Sequence, residues 1–166
     1  MAASNTYDAI ESITLTNNSS SVTFNSIPQT YTDLVIIMEA KSDTLNPDFY
    51  CQFNSDTGSN YSATWLNGNG TAASSSRNSN QTQIRISYGV EFSSTNANLM
   101  IAHIMNYSNS TTYKTLLARL NQAADGTEMC VGLWRSTAAI STIKLYPSAN
   151  NFASGSTFTL YGIKAA

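Results

Sequence analysis

The chain has 166 residues, of which only 11% are charged, and its formal net charge at pH 7 is −2. Its eight Lys and Arg residues are spread from Lys41 to Lys164, so they do not form the basic cluster that binding to a nucleic-acid backbone requires. No apolar run approaches the ~18 residues of a membrane-spanning helix. We therefore expect neither a nucleic-acid partner nor a membrane partner.

The polar residues indicate β-structure. Serine, threonine and asparagine together account for 62 of the 166 residues. Threonine favours strands, whereas serine and asparagine favour turns. Near the N-terminus, residues 9–16 and 21–27 carry apolar side chains at strand spacing on either side of the turn cluster 17–20, which predicts a β-hairpin.

Two segments further along the chain are apolar on both strand faces. Residues 32–41 contain an unbroken apolar run from Leu34 to Met38, and residues 97–107 repeat the pattern around His103. Strands of this kind are covered on both sides, by the core on one and by a loop or a neighbouring subunit on the other.

The low-complexity segment 67–81 is almost wholly Gly, Ser, Asn, Thr and Ala, which predicts an exposed loop. Five later segments alternate apolar and polar residues as strands do. About ten short strands, spaced about 10–15 residues apart, favour an all-β, single-domain antiparallel β-sandwich of the jelly-roll type. The later alternating segments are residues 82–88, 112–120, 127–135, 140–146 and 156–163.

Few residues suggest chemistry. Asp56-Thr57-Gly58 has the composition of an aspartic-protease turn, but the polar Asn54 and Ser55 precede it where that family has apolar residues. A plain turn is the simpler interpretation, and the segment from Asp56 to Asn60 also resembles a fragment of a calcium loop. The sequence leaves the cation alternative open, and it predicts no catalytic residue.

The other candidate groups are isolated. His103 is the sole histidine and has no partner motif, so we expect it in the core or in an interface. Cys51 and Cys130 belong to no metal-binding pair, and we expect both to be reduced and buried. The sequence therefore predicts no metal and no cofactor. Trp65 and Trp134 could face a sugar ligand or pack in the core.

Several stretches, taken in order, resemble a known family. Residues 26–36, 53–62, 66–70, 132–140 and 155–163 are similar to small structural proteins of tailed bacteriophages, many of them cyanophages. The resemblance implies a non-enzymatic capsid decoration (cement) protein that forms homotrimers and bridges capsomers. Its partners would be itself and the major capsid protein, and its place would be the virion, assembled in the host cytoplasm.

A tail-fibre or tail-associated module that binds a receptor or carbohydrate is the alternative within the same resemblance. For the decoration protein, residues 1–8 would form an N-terminal arm on the capsid or on an adjacent subunit. The two-faced strands would supply the self-association or capsid interface. The residues that we assign to that interface are Leu34, Ile36, Met38, Met100, Ala102 and Ile104.

Overall fold

A computed structural model describes residues 6–44 and 48–164 of the chain. These residues form strands joined by turns and loops, with no helix among them, which confirms the all-β prediction. No helix in this part of the chain is thus long and apolar enough to cross a membrane. The strands are Tyr7–Thr14 (β1), Val22–Phe24 (β2), Asp33–Ala40 (β3), Phe49–Phe53 (β4), Tyr61–Gly68 (β5), Ala73–Gln81 (β6), Ile84–Arg85 (β7), Asn98–Met105 (β8), Lys114–Gln122 (β9), Gly126–Trp134 (β10), Ile143–Pro147 (β11) and Thr157–Ile163 (β12).

The strands form two sheets that pack as a sandwich. The large sheet has eight strands in the order β1-β12-β3-β8-β9-β10-β5-β6, and the small sheet has four in the order β2-β11-β4-β7. Every neighbouring pair is antiparallel. This confirms the predicted antiparallel sandwich. The jelly-roll type is not confirmed, since a jelly roll divides eight strands between two sheets.

Strict alternation in the sequence puts one face of each central strand inside. In β9, Leu116, Ala118 and Leu120 are buried while Leu117 and Arg119 between them are exposed. Successive side chains of a strand point to opposite sides of the sheet, so the inner residues of both sheets meet in one core.

One glycine allows the two sheets to approach closely. A Cβ atom on Gly132 of the large sheet would lie 2.7 Å from the Ile84 side chain of the small sheet, which is closer than real Cβ contacts come. The glycine therefore provides the space that Ile84 occupies. At the other end of the core, Phe152 packs edge-on against Phe49, Phe92 and Phe158.

Two segments differ from the sequence predictions. Segment 67–81 is exposed for the most part, as predicted, but it is not a loop, because it carries the end of β5 and the whole of β6. The turn between them is built on Asn69, whose Oδ1 accepts hydrogen bonds from the backbone N–H groups of Thr71 and Ala72. Gly70 supplies a φ of +82° there.

The predicted N-terminal arm of residues 1–8 is also corrected in part. Residues 1–5 lie outside the described residues. Tyr7 and Asp8, however, belong to β1 and pair with Ile163 and Gly162 of β12. This part of the segment is therefore a strand of the large sheet rather than an arm.

Candidate functional site: the outer face of the large sheet

The interface residues predicted from the sequence lie in the core. All of them are at most 1% exposed, because their side chains point toward the small sheet. A side chain that is already buried inside one subunit cannot contact another, so this choice of face was wrong. The corrected residues are Leu34, Ile36, Met38, Met100, Ala102 and Ile104.

The opposite face of the same strands is apolar and exposed. The exposed fraction of its large apolar side chains runs from 36% for Leu117 to 56% for Leu66. Contiguous exposed apolar surface of this kind marks interaction sites in proteins. We call it the apolar face, and its residues are Ile37, Leu66, Leu99, Met105, Leu117, Met129 and Val131.

The strand register arranges these side chains in rows across the sheet. Ile37 of β3 lies opposite Ile101 of β8, which lies opposite Arg119 of β9. Arg119 in turn lies opposite Met129 of β10, and Met129 lies opposite Leu66 of β5. Directly opposed side chains on a sheet are in contact distance of one another, so this row forms one continuous surface.

A second row runs parallel to the first. Val35, which is only 2% exposed, lies opposite His103, so the exposed part of this row begins at His103. His103 lies opposite Leu117, and Leu117 opposite Val131. The face spans five strands that lie about 4.8 Å apart, and each strand is about eight residues long. These dimensions give it an area of roughly 600 Å². The strands are β3, β8, β9, β10 and β5. The surface is therefore broad enough for a protein partner.

Three charged side chains point outward on these strands. Asp33, at the start of β3, accepts the backbone N–H of Asn106 at 2.7 Å. Arg119 lies in the middle of the apolar rows, and Glu39 lies beyond Ile37 on β3. Both are exposed, and neither forms an ion pair or a side-chain hydrogen bond with another described residue. Three shallow depressions of about 240 to 360 Å³ border Arg119, but all are open to solvent. The face resembles a docking surface more than a substrate cleft.

The two tryptophans, for which the sequence left sugar contact and core packing open, are buried. Trp65 is 1% exposed, and its Nε1 donates a hydrogen bond to the backbone oxygen of Arg85 at 2.8 Å. Trp134 is 2% exposed, and its Nε1 donates to Oδ2 of Asp56 at 2.7 Å. Both residues therefore pack inside the sandwich, which is the second of the two alternatives, and the ligand-facing alternative is wrong.

Asp56 organises a turn. Its Oδ1 accepts the backbone N–H of Gly58 at 2.8 Å, and its Oδ2 accepts Asn60 Nδ2 at 2.9 Å in addition to Trp134. Burial alone would raise the pKa of Asp56, but these hydrogen bonds outweigh it and hold the pKa below the ordinary 3.8. Both oxygens thus accept protein donors, and this arrangement supports the plain-turn interpretation.

Among the described residues, no three His, Cys, Asp or Glu side chains come close enough together to bind a metal ion. Cys51 and Cys130 are free and buried, as predicted, and burial raises the pKa of both thiols. His103 lies half-buried in the second row of the outer face.

Sequence reasoning did not identify a buried carboxylate behind the apolar face. Glu128 is 1% exposed, and its carboxylate accepts backbone N–H groups from Tyr88, Gly89 and Val90 at 2.7 to 3.1 Å. Burial raises its pKa, against the lowering effect of these hydrogen bonds. Because every bond runs to the loop that follows β7, the group has a structural role in holding that loop.

No protein-family model and no curated protein matches this chain. One similar solved structure is an alginate lyase in complex with an alginate tetrasaccharide, with 9% identity, a TM-score of 0.30, and coverage of 93% of this chain and 80% of that chain. Another is a protein of unknown function from Shewanella oneidensis MR-1, with 9% identity, a TM-score of 0.28, and coverage of 100% and 82%. Likenesses this weak carry no functional argument.

Proposed function

We propose that this chain is a non-enzymatic structural protein of a tailed-bacteriophage virion, a capsid decoration protein that associates with itself and with the major capsid protein. The observation that carries the proposal is the apolar face, an uncovered outer sheet surface with seven large exposed apolar side chains. Burial of such surface drives protein association. The sequence blocks that resemble phage structural proteins supply the virion as the setting.

The mechanism is the addition of weak contacts over a repeating shell. An oligomer that touches several capsomers at once binds far more tightly than a single contact, because each later contact forms at a high effective concentration. Bridging neighbouring capsomers in this way raises the barrier to rupture of the shell. The proposal requires an oligomer, and three subunits is the number that the family resemblance implies.

Two observations support a structural role over the alternatives. Asp56, the best catalytic candidate in the sequence, uses both carboxylate oxygens to hold a turn. Trp65 and Trp134, the residues that a carbohydrate-binding tail module would present, are buried. The described surface therefore favours protein contact through the apolar face over catalysis or glycan binding.

The test is binding to capsids of the phage that encodes the chain, prepared without this protein. We expect the chain to co-sediment with these capsids and to raise the temperature at which they rupture. Val131→Lys puts a charge on the apolar face and should abolish both effects. Thr23→Lys makes the same charge change on the outer side of the small sheet and serves as the control. Failure of the wild-type chain to bind would contradict the proposal, as would full binding by Val131→Lys.

A further inference from the structure

We propose that the apolar face contacts the same face of a second copy about a two-fold axis, with Arg119 of each copy paired to Glu39 of the other. The inference rests on the proposed function only in taking the apolar face to be buried in the assembly. It adds the identity of the partner, the symmetry of the contact and the two residues that fix its register.

The first step is the charge pattern of the face. Within the central strands β3, β8, β9, β10 and β5, the outward charged residues are one cation, Arg119, and two anions, Asp33 and Glu39. Asp33 accepts the backbone N–H of Asn106, whereas Arg119 and Glu39 have no charged partner among the described residues. Covering Arg119 with an apolar surface would leave a buried unpaired charge, which is costly. A partner for this face must therefore bring a carboxylate, and a second copy brings one.

The second step is the spacing of the two charges. Glu39 lies opposite Leu99, and Leu99 lies opposite Asn121, which is two residues from Arg119 along β9. Two strand spacings and two residues separate the charges by about 12 Å along the sheet. A two-fold axis in the contact plane, midway between them, exchanges their positions. Each subunit then places its Arg119 over Glu39 of its partner copy, which gives two equivalent ion pairs.

The third step is what the same operation does to the apolar side chains. The axis passes over β8 between Leu99 and Ile101, so these two residues meet their symmetry copies at the centre of the contact. Packed sheets lie about 10 Å apart, a gap that Arg119 and Glu39 side chains can span from opposite sides.

The fourth step is the size of the contact. Full cover of the face on both copies would remove at most about 1,200 Å² of surface, because the axis over β8 is one strand away from the central strand β9, and this upper limit exceeds the ~1,000 Å² expected of a specific interface. The net charge of −2 per chain adds little repulsion between copies. Because a two-fold contact closes after two subunits, the trimer implied by the family resemblance would need a second, different contact elsewhere on the surface.

The experiment is a charge exchange measured by sedimentation equilibrium of the full chain. Arg119→Glu and Glu39→Arg should each raise the dissociation constant of the dimer about 100-fold, because each of the two symmetric ion pairs contributes about tenfold. The double variant Arg119→Glu/Glu39→Arg should restore wild-type affinity, because the pairs re-form with reversed polarity. Lys144→Glu makes the same charge change on the outer side of the small sheet and should leave the affinity unchanged.

Two outcomes would overturn the inference. A wild-type chain that is monomeric or purely trimeric in solution excludes the two-fold pair. A dimer that is weakened by both single variants but not restored by the double variant excludes the Arg119–Glu39 pairing. Capsid binding by the wild-type chain is measured in a separate experiment. A chain that binds capsids without forming the two-fold dimer would contradict this inference alone, and a dimer that does not bind capsids would contradict the decoration function alone.

Discussion

The two outer faces of the sandwich are built in different ways. On the small sheet, Arg85 pairs with Asp48 at 2.5 Å and lies 4.5 Å from the centre of the Tyr88 ring. On the same side, Lys144 lies 5.0 Å from the ring centre of Tyr146. These charged groups therefore have their partners within the chain.

On the outer face of the large sheet, two charged residues lack such internal partners. Arg119 and Glu39 stand unpaired among exposed apolar side chains of the described residues. A surface whose charges are already paired within the chain gains little binding free energy from a partner. A surface with exposed apolar side chains and unpaired charges gains binding free energy both from apolar burial and from new ion pairs. The difference indicates which side of the molecule is built for association.

The largest expected effect is a difference in stability between substitutions on the inner and outer sides of β3. Ile36→Ala removes a core side chain and should lower the free energy of unfolding by about 2–5 kcal/mol. Ile37→Ala, one residue further along β3, removes a side chain that is 43% exposed. This variant should change the free energy of unfolding by less than about 0.5 kcal/mol. Urea unfolding at low protein concentration measures both. Equal losses for the two variants would contradict the assigned inner and outer faces of β3.

A middle-sized effect concerns Asp56, whose hydrogen bonds lie inside the chain like those of the small-sheet face. Asp56→Asn should cost about 1.5 kcal/mol at pH 7, because an amide cannot accept all of the bonds that the carboxylate accepts. The folded-state pKa of Asp56 is lowered, so this stabilisation is present above its unfolded pKa of about 3.9 and is lost as the pH falls through the folded pKa.

Unfolding curves from pH 7 down to pH 2 measure this dependence. The difference between wild type and Asp56→Asn should be constant above about pH 5 and should shrink below about pH 4. A difference that grows toward acid pH would show that the carboxylate is not the stabilised form in the folded protein.

The smallest effect compares the two arginines directly. Arg85→Met removes a partly buried ion pair and a cation–π contact, and should cost about 1 kcal/mol of unfolding free energy. Arg119→Met removes no internal partner, so we expect a change within about 0.5 kcal/mol. Thermal unfolding of both variants as monomers measures the contrast. A larger loss for Arg119→Met than for Arg85→Met would reverse the comparison between the faces.

The fold class followed from the sequence because alternation of apolar and polar residues is local information. The choice of face in β3 and β8 did not follow, since both sides of these strands are apolar. A signal was present only in β3, whose odd-numbered side carries Asp33 and Glu39 while its even-numbered side is wholly apolar. In β9 the signal fails, because Lys114 and Gln122 lie on the side that is buried.

The hairpin formed by β5 and β6 could not be read from composition. Segment 67–81 lacks apolar alternation because β6 buries almost nothing, with exposed or half-exposed residues along its whole length. Its strand conformation comes from the hydrogen-bond ladder to β5 across the turn at Asn69 and Gly70. Backbone pairing of this kind leaves no pattern in the side chains.

The position of β6 has a consequence for solubility. It is the last strand of the large sheet, nine residues long and without proline, so one row of its backbone N–H and C=O groups is free to template another strand. Arg77, at its midpoint, is its single charge. If two copies of β6 aligned antiparallel about that midpoint, the two guanidinium groups would face each other and repel. The charge of Arg77 thus disfavours pairing between the β6 edges of two copies, which is the contact that would extend the sheet into a fibril.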